Sequence, residues 1–177
     1  MPPSTNPDHL AERKAAAKKY KPKAVELLLI AEAPPCATDR YFYFEDVDQH
    51  DWLYRYVWEG LSGEKAQKGE KAANLKALRD AGVFLIDLHE ENVSSPRMAQ
   101  LAPCVPDLVK RAKALTPKRV ILIKSIVHDA AYAALEAAGL PVIDERIPFP
   151  ASGQQKKFLE GFRSAVRESG FRWNGSR

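Results

Sequence analysis

Four short apolar runs limit what this chain can fold into: "AVELLLIA" (24–31), "VFLIDL" (83–88), "KRVILIK" (118–124) and "LPVIDE" (140–145). Each has the length of a strand, and their near-continuous apolar character suits strands covered on both faces. The segments between them have helical composition: 10–20, 46–60, 71–82, 105–115, 125–139 and 154–169. In the last of these, Phe158, Leu159, Phe162, Ala165 and Val166 fall on one apolar face. Gly60 and Gly170 read as helix stops and Ser125 as an N-cap. Strands alternating with helices predict a single three-layer α/β/α domain on a four-stranded parallel sheet. Residues 1–22 form a tail and helix, 23–170 the domain, and 171–177 a second tail.

The balance of charge is mild. Lys and Arg number 27 against 23 acids, a net charge of +4 that admits a polyanionic partner without requiring one. Cys36 and Cys104 are the two cysteines, too few for a disulfide framework or a four-thiolate metal site. No stretch approaches the roughly 20 apolar residues that span a bilayer, and the start of the chain has no apolar signal core. The expectation is a soluble, cytoplasmic monomer with no membrane partner, no metal and no cofactor.

Parallel sheets bind ligands outside the carboxyl ends of their strands. That rule selects the loop after Ala31, the stretch after Leu88 with Asp87 at its mouth, Lys124-Ser125, and the loop 146–153. The first, "EAPPCATDRYFYF" (32–44), opens with Glu32, a carboxylate suited to orienting a water or stabilising a cationic transition state, or to capping backbone amides. Pro34 and Pro35 fix two φ angles and hold the rest of the loop at a set distance from the sheet edge. Cys36 reads more readily as a small buried hydrophobe than as a thiolate served by His89 or His128. The aromatic block beside Arg40, "RYFYF" (40–44), offers flat rings suited to stacking a nucleobase, or a short strand or turn that packs half its rings into the core. Asp87 ends a strand that ought to be buried, which is costly unless the carboxyl is hydrogen-bonded or faces a cleft. Ser152 and Gly153 precede a helix start that reads either as an anion or phosphate seat or as an ordinary capped helix. No P-loop, Gly-rich dinucleotide fingerprint or H-E-x-x-H pattern occurs.

Three blocks, in order, resemble motifs of the uracil-DNA glycosylase superfamily: "LLLIAEAPP", "AGVFLIDL", and "KRVILIKSIVHDAAYAAL" followed by "IPFPAS". The resemblance spans roughly residues 24–168. It implies base flipping and hydrolysis of an N-glycosidic bond in DNA. It makes Glu32 and Asp87 the catalytic candidates, Asp87 standing where the family reads the base with an asparagine. Pro34 and Pro35 fall in the first motif, Phe42 or Phe44 stacks the flipped base, Phe149 stands where the family has a histidine, and Ser152 and Gly153 pinch the DNA backbone. The departures are chemical. Pro35 replaces a glycine, Asp87 cannot donate to a carbonyl when ionised, Phe149 has no proton to offer, and two cysteines cannot hold the iron–sulfur cluster of the thermophile-type branch. The function expected is a divergent glycosylase-like DNA repair protein acting on an unusual or damaged base, or one that has lost catalysis. A non-catalytic nucleic-acid-binding module and a small-molecule hydrolase using Glu32 or Cys36 are the alternatives. Basic clusters such as Lys110/Arg111/Lys113 predict salt-sensitive DNA binding.

Overall fold

A computed structural model describes residues 7–37 and 39–175. Its centre is a parallel sheet of three strands in the order β2-β1-β3, formed by β1 (Leu27–Ala31), β2 (Val83–Asp87) and β3 (Val120–Leu122). Leu27 to Ala31 pair in register with Val83 to Asp87, and Leu28 to Ile30 with Val120 to Leu122. Every residue of β1 is buried. A central strand covered on both faces has no position where a polar side chain could reach water, which is why its sequence does not alternate.

Two long helices open and close the described chain: α1 (Pro7–Lys19) and α7 (Gln155–Ser169). Between them come α2 (Trp52–Ser62), α3 (Lys71–Asp80), the short α4 (Met98–Leu101), α5 (Val105–Ala114) and α6 (Ser125–Ala137). Helix α2 packs on α7, α5 on α6, and α3 against β2. No helix among the described residues is long and apolar enough to cross a membrane.

The expected fourth strand at 140–145 does not form. That segment touches the sheet through one isolated parallel bridge, Val120 to Val142, and a second bridge joins Ile123 to Ile147. Pro141 has no N–H to give a ladder, and the amides of Val142 and Glu145 turn back on Leu140 and Ile143 at 2.8 and 3.1 Å. Edge pairing is therefore interrupted after each contact.

Helix 46–60 is also displaced. It starts at Trp52, where Asp51 caps it by accepting from the Tyr54 amide at 3.0 Å, and runs to Ser62. Gly63, with φ of 79°, supplies the left-handed stop. Gly60 serves packing instead. A Cβ there would sit 2.4 Å from Cδ1 of Phe162, so the missing side chain lets α7 lie close on α2. Gly170 is the stop expected of it. Lys124, not Ser125, occupies the N-cap of α6, and no side chain caps that helix.

The aromatic block is mostly core. Tyr41, Phe42 and Tyr43 are buried, and Phe44 packs edge-on against Tyr41. The Tyr43 hydroxyl donates to the Leu85 carbonyl at 2.9 Å and accepts from the Leu85 amide at 2.7 Å. One side chain thus satisfies both outward backbone groups of Leu85 on edge strand β2, where an unpaired edge would invite other chains.

Candidate functional site

A cleft of about 390 Å³ opens at the carboxyl ends of all three strands, where the sheet rule placed it. Its walls hold Glu32 just beyond β1, Asp87 at the end of β2, and Lys124 just beyond β3. The stiff loop after Ala31 forms one side through Pro34, Pro35 and Phe42, and Phe149 stands on another. Glu32, Asp87, Pro34, Pro35, Phe42 and Phe149, separated by up to 117 positions, therefore meet in one place.

Phe44, Ser152 and Gly153 do not line this cleft. Phe44 packs on the core. Ser152 and Gly153 form an exposed left-handed turn, with φ of 53° and 80°, ahead of α7. Phe42 reaches the cleft but is buried, in edge-to-face contact with Tyr43 and Tyr54, and so belongs mostly to the core. The exposed rings are Phe149, at 36%, and Trp52, at 38%, which begins α2 and also lines the cleft. Trp52 is stacked on Tyr56 at 6.1 Å and has the Arg55 guanidinium 5.2 Å from its ring centre. In the sequence Trp52 is one bulky helix residue among several; a helix start facing a strand-end cleft was the signal for more.

Lys124 and Glu32 form an ion pair across the cleft floor, Nζ to Oε2 at 2.5 Å. Among the described residues buried Oε2 makes no hydrogen bond, so the Lys124 ammonium compensates it as a charge. The Lys124 ammonium also lies 6.0 Å from the Phe149 ring centre. Its backbone has φ of 82° and ψ of 131°, a conformation costing a side-chain-bearing residue about 1–3 kcal/mol. The conformation persists because the Lys124 carbonyl accepts from Val127 and His128 at 3.0 and 3.2 Å and so starts α6, while the preceding amide, Ile123, donates to Ile30 at 2.8 Å.

Asp87 is 8% exposed, and its carboxyl makes no side-chain hydrogen bond among the described residues. Burial pushes its pKa up to about 7, against the opposing pull of Arg111 and Arg13; Glu90 and Glu32 add to the rise. Arg111 does not pair with the Asp87 carboxylate. Its guanidinium donates to the carbonyls of Asp87 and Leu88, both at 3.0 Å, and its Nε to Asp107 at 2.7 Å. Arg111, one of the basic cluster Lys110/Arg111/Lys113, is thus engaged within the fold. The result is a carboxyl held at the cleft wall, easily neutral and without a partner of its own.

Cys36 is exposed at the rim, with Sγ 3.8 Å from the Asn92 carbonyl, and is not the buried hydrophobe expected. His128 is engaged with Asp144 at 2.8 Å, and His89 accepts from the Glu91 amide at 3.2 Å; neither lines the cleft. Among the described residues no group of three or more His, Cys, Asp or Glu is placed to hold a metal ion.

No curated protein matches the chain. Residues 87–148, about a third of it, match a family model described as a CoA binding domain. This overturns the resemblance to uracil-DNA glycosylases, and with it the DNA glycosylase activity, DNA repair role, DNA-binding module and hydrolase alternatives drawn beside it. The physical reason is that the three blocks are short buried strands followed by turns into helices, a pattern that parallel α/β sheets share whatever their chemistry. Over residues 87–148, what the chain is similar to is a CoA binding domain.

Proposed function

We propose that this protein binds coenzyme A or a closely related adenine nucleotide, with the nucleotide end seated in the strand-end cleft. The observation that carries this reading is an overlap: the segment matching a CoA binding domain begins at Asp87 and includes Lys124, so it contributes the ends of two of the three strands to that cleft. A volume of about 390 Å³ suits a nucleotide, since small-ligand sites run from about 300 to 1,000 Å³. The longer arm of CoA would then extend into solvent.

Each wall has a role in this reading. Trp52 and Phe149, the part-exposed rings of the cleft, supply apolar surface for the adenine. Lys124 supplies positive charge to a phosphate, and Glu32 holds its ammonium in place until the ligand arrives. Asp87 in its neutral form presents an O–H and a C=O side by side, matching the ring nitrogen and exocyclic amine of adenine. Pro34 and Pro35 keep the loop from closing over the site.

Isothermal titration of the full chain with CoA, and with adenosine as the fragment lacking phosphates, tests this. Saturable CoA binding is expected, weakened about tenfold by Lys124→Ala, the scale of one charge-assisted contact. Absence of CoA binding at millimolar ligand, or binding indifferent to both Lys124→Ala and Trp52→Ala, would overturn it.

A further inference from the structure

At the opposite end of the sheet, where β1 and β2 begin, a second cleft of about 860 Å³ is bounded by the ends of α1, α3 and α7. Six basic side chains line it (Lys19, Lys21, Lys23, Arg79, Arg119 and Arg172), against two acids, Glu26 and Asp80. That surplus of four positive charges equals the net charge of the whole chain, so everything outside this cleft balances to zero.

Some of these cations have structural work. Three helices present their carboxyl ends here, and cations near such ends are stabilising. Arg119 donates to the Ser169 carbonyl at 2.6 Å and lies 3.6 Å from Glu26. Arg79 pairs with Asp80 at 3.0 Å and reaches the Lys19 carbonyl at 3.4 Å, while Lys19 itself pairs with Glu45. Both acids are already shared, Glu26 with Lys118 at 2.8 Å and Asp80 with Lys76 at 2.9 Å. Lys21, Lys23 and Arg172 are different. They lie outside the helices, and among the described residues their side chains make no ion pair and no hydrogen bond. Holding three unpaired cations around one concavity costs self-repulsion that an anion would relieve.

We propose that this basic cleft binds an oligophosphate chain, of the kind carried by a nucleoside triphosphate or by inorganic polyphosphate. The charge matches, three free cations facing a ligand of three or more negative charges. The concave shape favours a short run of phosphates seated within it over a nucleic-acid strand lying across a ridge. The site is separate from the strand-end cleft, with no lining residue in common, and does not depend on what that cleft holds.

Inorganic tripolyphosphate is the probe, titrated calorimetrically into the full chain at low and at high salt. Binding at low salt that weakens as salt screens the charges is expected. The double variant Lys21→Glu/Lys23→Glu should lose about tenfold or more in affinity, Arg172→Glu should weaken binding on its own, and Lys124→Ala should leave it unchanged. These three exposed side chains make no ion pair or hydrogen bond among the described residues, so far-UV circular dichroism should show each variant folded. The proposal falls if tripolyphosphate does not bind at low salt, or if Lys124→Ala abolishes binding while the charge reversals do not. Tighter binding of a single-stranded oligonucleotide than of tripolyphosphate, through the same lysines, also overturns it.

Discussion

The Lys71 ammonium lies 2.9 Å from the Asp51 carboxylate in an ion pair sealed from solvent, with Lys71 only 1% exposed. The same Nζ donates to the carbonyls of Tyr41 and Val47, and it sits 4.9 Å from the centre of the Tyr54 ring. One cation therefore ties α3 to both ends of the loop that leads from the aromatic block into α2. Burial pulls the Lys71 pKa down, and Asp51 pulls it back. Because Asp51 also caps α2 and lines the strand-end cleft, the pair fixes one wall of the candidate site.

Lys71→Met should cost about 3–5 kcal/mol, because it leaves the Asp51 charge buried without compensation. Adding Asp51→Asn should restore part of that loss, since asparagine keeps the cap and removes the charge. Urea denaturation measures both. A single-variant loss below about 1 kcal/mol would mean that water reaches Asp51.

Asp87 makes a pH prediction with a definite sign. Its folded pKa of about 7 lies above the ordinary carboxylate value of 3.8, so the folded protein holds a proton the unfolded chain has released. Stability should fall as pH rises from about 4 to about 7 and stay low above that. Arg111 and Arg13 oppose this penalty, and Glu90 and Glu32 deepen it. Asp87→Asn should be more stable than the parent at pH 8, by at most about 4 kcal/mol, with the advantage gone near pH 4. Chemical denaturation across that range is the measurement, and a pH-independent difference would contradict the assignment.

The same residue should govern ligand affinity. If neutral Asp87 meets the adenine edge, CoA affinity declines above pH 7 in the parent and is flat in Asp87→Asn, whose amide keeps one donor and one acceptor. Titration calorimetry at pH 6 and pH 8 reads the two slopes. Affinity that instead rises with pH in the parent would place an ionised Asp87 against a cation.

Gly60→Ala tests the α2–α7 contact. Alanine in a helix interior ordinarily stabilises by about 0.5–1 kcal/mol over glycine. Here the new methyl meets the Phe162 ring at 2.4 Å, so a loss of about 1–3 kcal/mol is expected instead. The shift in urea midpoint gives the sign directly.

Three strands, most of the helices and the position of the cleft follow from sequence, because burial on both faces writes itself into neighbouring residues and strand ends mark where ligands bind. Leu27 to Ala31 could be read as a central strand for that reason. The run 140–145 looked equally apolar, yet Pro141 and two amides turned back on the chain kept it to single bridges. Gly60 looked like a helix stop, and only the approach of Phe162 from α7 gave it another purpose. The pairings that build the site lie further still from sequence logic. Lys124 reaches Glu32, Lys71 reaches Asp51, and Tyr43 meets Leu85 across spans of 92, 20 and 42 residues. Local pattern determines which residues must leave water; which buried group meets which partner is decided only when distant segments pack, since that is when desolvated charges and backbone groups must be satisfied.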